Sequence, residues 1–403
     1  MKNSKKIVLN TLLLTAASFL MQTVGVWFNV YLSNKIGSVG IGLFQLTLTV
    51  YGMAATFACA GVRLGATRLH IDLFARSPQA SAKRAMRLCL GYALALSGTV
   101  AVILFCAAPS ISAYWLHDPR TTQALRWLSA GLPFVSLTAA MQGYFTAART
   151  VYKSAITQAV EQGVKIASAA FFLTSMLPKG IEYACLAIVY GMCVGEIAAV
   201  ILTALLTWRS KPMRGTSNPK PQSTLRELLH IAGPEAAGTC ARSVLLTTEH
   251  LLIPRGFQAS GRSAEDAMRT YGIIHGMSLP VLLYPSAVLS SLANLLVPEL
   301  SQLRVEGQKQ QIARAAQRVL QLSLFYGIFA ASVFYAFAVP LSTRIYGDAN
   351  AARYLQVLAP LVPIMYADMS VDGMLKGLDL QKYSMRYNII DSALCVFLVT
   401  LLL

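Results

Sequence analysis

The stretch LRWLSAGLPFVSLTAAMQG at residues 125–143 returns as LQVLAPLVPIMYADMSVDG at residues 355–373, which is 230 residues later. Four pairs of residues coincide in these stretches without a gap: Leu125 with Leu355, Leu128 with Leu358, Pro133 with Pro363 and Gly143 with Gly373. The same offset aligns further pairs along the chain: Gly42–Gly272, Arg84–Arg314, Ala85–Ala315, Leu90–Leu320, Ser154–Ser384 and Glu161–Asp391. A constant register that includes proline, glycine and acidic positions indicates an internal repeat.

The repeat lies in a chain that is too apolar to be water-soluble. Of its 403 residues, 55% are hydrophobic and 13% are charged, and the mean hydropathy is +0.55. Soluble domains carry about 25% charged residues, so a soluble enzyme, a disordered chain and a secreted disulfide scaffold are excluded. Apolar stretches long enough to cross a bilayer as helices predict eleven spans: 7–32, 39–62, 85–108, 121–147, 155–177, 182–207, 225–253, 270–298, 315–341, 351–377 and 383–403.

The basic residues predict the orientation in the membrane. With the N-terminus in the cytoplasm, 23 of the 34 Lys and Arg residues lie in cytoplasmic segments, nine lie on the opposite side, and Lys165 and Arg242 lie within spans. This asymmetry follows the positive-inside rule. It explains the net charge of +17 by membrane topology and lipid headgroups, and we expect no nucleic-acid partner.

The repeat also predicts the domain organisation. Six spans form an N-terminal lobe (1–207), a Pro-, Ser- and Lys-containing cytoplasmic linker follows (208–224), and five spans form a C-terminal lobe (225–403). Because Leu403 aligns with Leu173, the second half has no counterpart of the sixth span, and we expect a truncated chain that lacks a twelfth helix. The predicted fold is all-α and polytopic, with two pseudo-symmetric helical lobes around a central cavity, the architecture of alternating-access transporters.

Span 7 carries the charges that most strongly suggest a binding site. Glu235, Arg242 and Glu249 follow one another at intervals of seven residues, so they share one helix face. Such a stripe cannot face lipid without a large cost. Two interpretations stay open: the stripe lines a polar cavity in which Arg242 binds phosphate, or it is an ion-paired strut between helices.

Other charges within spans suggest ion coupling or structural pairing. Glu161 and Lys165 form an i, i+4 pair in the favourable order. Asp368 and Asp372 are also four residues apart, with no base between them, and two such carboxylates can share a proton or hold a small cation. Asp391, the repeat mate of Glu161, completes this set.

Prolines interrupt the predicted spans, whereas motifs for cofactors are absent from the sequence. Pro133, Pro363, Pro280 and Pro285 lie within spans, where a proline frees a backbone carbonyl and can serve as a hinge or only as a packing kink. No CxxC, zinc-ligand cluster or glycine-rich nucleotide loop is found. We therefore expect no metal, no cofactor and no enzymatic activity.

Residues 271–302 read YGIIHGMSLPVLLYPSAVLSSLANLLVPELSQ. This segment resembles the stage V sporulation protein B family of polysaccharide-biosynthesis membrane proteins. The residues that carry the resemblance are Gly276, Pro280, Pro285, Ser286, Ala287, Leu296, Val297 and Pro298. Glu249 before Ile253-Pro254-Arg255 and GLFQLTLTVYG at 42–52 match as well. The resemblance places the chain in the multidrug/oligosaccharidyl-lipid/polysaccharide exporter superfamily.

That resemblance implies a V-shaped pair of six-helix lobes in the bacterial cell membrane. It implies a flippase that moves an undecaprenyl-linked saccharide or peptidoglycan precursor, in a cell-wall or sporulation context. Arg242 would bind the pyrophosphate, Glu235, Glu249 and Asn29 would shape the headgroup site, and Arg63 would help to recruit the substrate. The first span departs from related flippases, because it offers Asn29 and Gln22 where they usually have a basic residue.

Two alternatives to the flippase remain. An ion-coupled multidrug or cation exporter of the same superfamily, coupled to protons or sodium, is favoured by Asp368 and Asp372 but opposed by Arg242 and Lys165. A membrane transferase or a non-transporting scaffold for cell-wall synthesis is less consistent with the short loops, which lack the acidic clusters of enzymes that act on lipid-linked sugars.

Overall fold

The computed structural model describes residues 2–76, 79–148, 150–209, 225–289, 300–301, 303–304, 306–378 and 380–402, and the secondary structure in these residues is entirely helical. The first helices are α1 (Lys2–Ala58), α2 (Val62–Arg76), α3 (Gln79–Ser110), α4 (Thr121–Ala147), α5 (Val151–Met176), α6 (Ile181–Trp208) and α7 (Leu225–Ala259). The following helices are α8 (Ala264–Tyr271), α9 (Leu279–Leu283), α10 (Lys309–Ala336), α11 (Ala338–Tyr346), α12 (Asn350–Leu358), α13 (Val362–Gly377) and α14 (Gln381–Leu402). Short π-helical turns occupy Ile111–Trp115 and Gly272–Ser278, and 3₁₀ turns occupy Leu177–Lys179 and Ala359–Leu361.

Seven segments of the described chain are long and apolar enough to cross a membrane. They are Phe19–Ile71, Ala85–Trp115, Thr121–Ala147, Ile181–Trp208, Lys309–Ala336, Asn350–Leu375 and Tyr383–Leu401. Eight of the eleven predicted spans fall on these segments, because the first segment includes two of them. The predicted spans 155–177 and 225–253 coincide with the more polar helices α5 and α7. The predicted span 270–298 lies partly outside the described residues.

Two predicted spans lie in the single helix α1, which has a kink at Gly37 between them. The hydrogen-bonding pattern continues from Lys2 to Ala58, but Gly37 has φ +72° and ψ 178°. That backbone conformation strains any residue with a Cβ atom and suits glycine. The break lies between the predicted spans 7–32 and 39–62, so α1 contains two helical segments that meet at Gly37.

The internal repeat is visible in the helix boundaries and in individual contacts. α3 and α10 begin 230 residues apart, at Gln79 and Lys309, and α5 and α14 do so at Val151 and Gln381. The turns before α4 and α12 are also alike. Asp118 Oδ1 accepts the Arg120 backbone N–H at 3.0 Å, and its repeat mate Asp348 accepts the Asn350 backbone N–H at 2.9 Å.

The same correspondence reaches the helix interfaces. Ala93 of α3 and Ala140 of α4 belong to one buried apolar cluster. At the equivalent positions of the second half, the hydroxyl groups of Ser323 and Ser370 are hydrogen-bonded at 2.7 Å. The predicted all-α fold with two pseudo-symmetric halves is therefore confirmed.

The proline positions differ between the halves. Pro133 lies inside α4, which continues without interruption from Thr121 to Ala147. Its mate Pro363 is the second residue of α13 and follows a 3₁₀ turn. Pro280 is near the start of α9, and Pro285 lies just after that helix. A hinge role for these four residues stays a prediction.

The chain divides into two compact units: unit 1 comprises Met1–Gln45 and Ile253–Leu403, and unit 2 comprises Leu46–Leu252. Small residues allow close helix packing within each unit, as is common in membranes. In unit 2, a Cβ added at Gly191 would lie 2.6 Å from the Ala169 Cβ atom. In unit 1, a Cβ added at Gly327 would lie 2.6 Å from the Pro363 Cα atom. The predicted lobes 1–207 and 225–403 stay a prediction, and the linker lies outside the described residues from residue 210 onward.

Candidate functional site

The predicted charged stripe of span 7 lies on α7, a continuous helix from Leu225 to Ala259. Arg242 is exposed within unit 2, and its side chain makes no ion pair with the residues that the structure describes. Glu249 is half-buried two turns further along the helix, whereas the side chain of Glu235 lies outside the described residues. The guanidinium of Arg242 therefore has donors to offer to an anion.

Asn29 is held in place within unit 1. Its side-chain amide donates a hydrogen bond of 2.9 Å to the carbonyl oxygen of Gly276, in the π-helical turn before α9. Near the same helix, the hydroxyl groups of Thr23 and Tyr284 are 3.1 Å apart. These bonds fix the first segment of α1 against the proline-containing region of α9. The side-chain oxygen of Asn29, which is a hydrogen-bond acceptor, takes no part in these two bonds.

Arg63 occupies the beginning of α2, with an exposed side chain. Its backbone carbonyl accepts a hydrogen bond of 2.8 Å from the Thr67 hydroxyl group. That carbonyl also lies against Gly143 of α4, where an added Cβ would be 2.6 Å from it. The Arg63 backbone is thus anchored by close packing while its guanidinium stays at the surface of unit 2.

Glu161 and Lys165 face the packed interface between α5 and α6. A Cβ added at Gly195 of α6 would lie 3.0 Å from the Lys165 Cβ atom and 3.1 Å from the Glu161 carbonyl oxygen. Both charged residues are half-buried. The absence of a side chain at Gly195 makes room for this pair at the interface.

Glu196 of α6 is a buried acidic group whose partner the sequence does not reveal. Its side chain is 8% exposed, and its Oε1 atom accepts a hydrogen bond of 2.5 Å from the Tyr51 hydroxyl group. Its Oε2 atom is buried and has no hydrogen-bond partner among the described residues. Gly131 of α4 packs directly against this carboxyl group, and Glu161 and Lys165 act on it electrostatically.

The sequence near Glu196 gives little indication of its contact with Tyr51. Glu196 is an isolated acid within the apolar helix α6, which points to a buried role but names no partner. Tyr51 is 145 residues away in sequence, and tyrosine is unremarkable in a membrane helix. Only the packing of α1, α4 and α6 brings Tyr51, Gly131 and Glu196 together.

The three aspartates of the second half have different environments within unit 1. Asp368 and Asp391 are exposed, whereas Asp372 is half-buried. An Asp372 carboxylate oxygen accepts a short hydrogen bond from the Ser384 hydroxyl group. This bond joins α13 to α14. In the part of the chain that the structure describes, no group of three or more His, Cys, Asp and Glu residues has the arrangement of a metal site.

These observations define a class: a multi-pass α-helical membrane protein whose two halves repeat one helical pattern, with a few polar groups held inside it. Solved structures share the fold. Lipid II flippase MurJ in an inward closed conformation has a TM-score of 0.68 at 11% identity, over 95% of this chain and 79% of that one. An inward-facing multidrug resistance MATE family transporter of the MOP superfamily has a TM-score of 0.66 at 13% identity, over 92% and 84%.

Sequence comparison identifies the family. The family model for polysaccharide biosynthesis proteins matches residues 7–304, and the chain belongs to that family. A second model, MatE, matches residues 275–402. Stage V sporulation protein B of Bacillus subtilis (strain 168) is 24% identical over 389 residues, which is 95% of this chain and 75% of the relative. The resemblance inferred from residues 271–302 is thereby confirmed.

Proposed function

We propose that this protein moves a lipid-linked saccharide precursor, with an undecaprenyl-type carrier, across the bacterial cell membrane by alternating access. The match of residues 7–304 to the polysaccharide biosynthesis family carries the proposal, because the fold alone is shared with multidrug transporters. A solved structure of similar fold is named a lipid II flippase, so the fold is compatible with this class of substrate but does not select it.

The residues of α7 supply the chemistry that this substrate requires. The pyrophosphate of a lipid-linked sugar is an anion, and a guanidinium can bind it through two parallel hydrogen bonds. Arg242 is the arginine proposed for this role, because it lies at a predicted membrane depth and is exposed. Glu235 and Glu249 on the same helix would accept hydrogen bonds from sugar hydroxyl groups.

Two residues elsewhere complete the proposed headgroup site. Asn29 donates its amide to Gly276, so its contribution to sugar binding would come from the side-chain oxygen. Arg63, exposed at the beginning of α2, would attract the pyrophosphate before it enters the predicted central cavity. The lipid tail would stay in the bilayer throughout, since its transfer to water is unfavourable.

An ion-coupled exporter of drugs or cations is the second candidate. The MatE match over residues 275–402 favours it, as does the presence of acidic groups that a coupling proton or sodium ion could use. These groups are Glu161, Asp368, Asp372 and Asp391. In this candidate the acidic groups, and not Arg242, would decide transport.

Reconstitution in liposomes separates the candidates. The purified full chain would be tested with a fluorescent lipid-linked disaccharide and, separately, with a fluorescent cationic dye. Movement of the disaccharide to the opposite leaflet, without movement of the dye, supports the flippase. Movement of the dye alone supports the exporter. Movement of neither contradicts both and favours the non-transporting scaffold.

A further inference from the structure

Three arginines of unit 1 line one cavity of about 470 Å³. Arg262 lies in the turn between α7 and α8, Arg269 lies near the end of α8, and Arg353 lies in the first turn of α12. The cavity is also lined by Thr270, Ile273, Asn350 and Tyr354. A volume of this size falls in the range of small-molecule sites, and its lining is rich in hydrogen-bond donors.

The residues that line this cavity do not balance one another in charge. In the described part of the chain, Asp266 is the only acid that lines the cavity. Its carboxylate accepts a hydrogen bond of 2.8 Å from the hydroxyl group of Ser263, the N-cap residue of α8. Among the residues that the structure describes, no ion pair joins Asp266 to Arg262, Arg269 or Arg353. The cavity therefore carries an excess of two positive charges.

Contacts with Thr270 and Phe257 hold the Arg262 side chain in place at the cavity. Its Nη1 atom donates a hydrogen bond of 3.2 Å to the Thr270 hydroxyl group. Its guanidinium also lies over the Phe257 ring, 5.2 Å from the ring centroid. A guanidinium held on two sides loses less conformational entropy when it binds a ligand.

The location of the arginines is unusual for the predicted topology. Only nine bases are expected on the non-cytoplasmic side, where positive charge is depleted. Three of those nine, Arg262, Arg269 and Arg353, meet at this cavity. Since like charges at close range repel one another, the cluster calls for an anionic ligand.

From this geometry we infer that the cavity of Arg262, Arg269 and Arg353 is a binding site for a phosphate group, separate from the Arg242 site. Planar guanidinium groups match phosphate oxygens through paired hydrogen bonds. The phosphate belongs either to an anionic phospholipid headgroup or to a water-soluble or exported phosphate compound. The site does not depend on the proposed transport function, because it requires binding alone.

Equilibrium binding tests the site without transport. The full chain in an uncharged detergent would be titrated with sodium pyrophosphate at low ionic strength, where charge interactions are least screened. Native mass spectrometry would compare retention of phosphatidylglycerol with that of phosphatidylcholine. We expect the wild-type protein to bind at least one of the two phosphate probes. Pyrophosphate binding that is weakened by Arg269→Gln indicates a soluble or exported phosphate at this cavity. Selective retention of phosphatidylglycerol that is weakened by the same substitution indicates a lipid headgroup.

Variants provide the controls. Arg269→Gln and Arg353→Gln should each weaken binding by about tenfold, since each removes charged hydrogen bonds. Asp266→Asn should strengthen binding, a gain that misfolding cannot produce. Arg344→Gln is the matched control, because Arg344 is an exposed arginine of unit 1 that does not line the cavity.

Two results would overturn the site. One is a wild-type protein that binds neither phosphate probe. The other is an equal loss of binding in Arg344→Gln and Arg353→Gln, which would show a response to overall charge. The second result does not involve Arg242, and transport is measured separately with a lipid-linked disaccharide, so failure of this site can be distinguished from failure of the proposed transport function.

Discussion

Gly42 and Gly272, which are repeat mates 230 residues apart, pack backbone against backbone within unit 1. A Cβ added at Gly42 would lie 3.0 Å from the Gly272 nitrogen, and a Cβ added at Gly272 would lie 2.8 Å from the Gly42 nitrogen. Equivalent positions of the two repeats are therefore in direct contact. The repeat is thus a feature of packing as well as of sequence.

Gly42→Ala should destabilise the protein by about 1–3 kcal/mol, the usual cost of forcing a methyl group into a filled interface. Its methyl group would also meet the Met268 carbonyl oxygen, which belongs to the backbone and cannot rotate away. The measurement is the thermal unfolding midpoint of purified protein in detergent.

Gly52→Ala is the control for this substitution. Gly52 lies in the same helix and is exposed, and nothing lies within 4 Å of its added Cβ. Equal midpoints for the two alanine variants would show that the contact between Gly42 and Gly272 is not tight.

Tyr51→Phe should destabilise unit 2 by about 1–3 kcal/mol, because it removes the hydrogen bond to Glu196 and leaves a second carboxyl oxygen buried without a partner. Glu196→Gln retains an acceptor for Tyr51 and should cost less. Unfolding midpoints measured under one set of conditions would rank the two variants, and the opposite ranking would contradict the described contact.

Gly131→Ala should also destabilise the protein, since the new methyl group would collide with the Glu196 carboxyl group. The collision disappears when Glu196 is shortened, so Gly131→Ala should cost much less in a Glu196→Ala background. A double-mutant cycle measures this coupling. Additive effects would separate Gly131 from Glu196. Gly98→Ala serves as the control, because its added Cβ meets nothing within 4 Å.

The hydrogen bond between Ser323 and Ser370 should contribute little to the free energy of unfolding. Their repeat mates are Ala93 and Ala140. The first half therefore folds with no hydroxyl–hydroxyl bond at the equivalent positions. Hydrogen bonds between membrane helices average about 0.6 kcal/mol in double-mutant cycles. A cycle of Ser323→Ala and Ser370→Ala should give a coupling of about that size. A coupling above about 2 kcal/mol would contradict this comparison of the halves.

The turn before α4 contains an ion pair between Arg120 and Asp118. Arg120 donates to the Asp118 carboxylate at 2.6 Å, and this hydrogen bond raises the pKa of Arg120 above its already high value. The stabilisation is present below the unfolded pKa of arginine and is lost only above it. Stability due to this pair should therefore not change with pH near neutrality.

Asp118→Asn should cost about 0.5–1 kcal/mol, as for other partly exposed ion pairs, and the cost should shrink as salt is added. Asp348→Asn is the matched control, since Asp348 makes the same turn bond and its hydrogen-bond partner there is the neutral Asn350. Equal salt dependence of the two unfolding midpoints would argue against the ion pair.

Apolar run lengths were enough to predict the all-α membrane fold, because burial in lipid requires long apolar helices. The repeat was predictable from identical residues at a constant offset of 230, such as Pro133 and Pro363. The break at Gly37 and the 3₁₀ turn before Pro363 were only approximately predictable, since kinks depend on how helices pack. The contact of Tyr51 with Glu196 was not predictable, because local patterns do not encode which distant side chain fills a polar gap. The arginine cavity was not predictable either, because its three arginines come from separate elements of the chain.

The central claim is that Arg242 binds the phosphate of a lipid-linked saccharide during transport. The most direct measurement is the rate at which reconstituted protein moves a fluorescent lipid-linked disaccharide, compared among wild type, Arg242→Ala, Arg242→Lys and Arg209→Ala. Arg209 is an exposed arginine at the end of α6 and controls for loss of charge. We predict loss of transport in Arg242→Ala, partial transport in Arg242→Lys and wild-type transport in Arg209→Ala. Transport at the wild-type rate by a folded Arg242→Ala protein would contradict the claim.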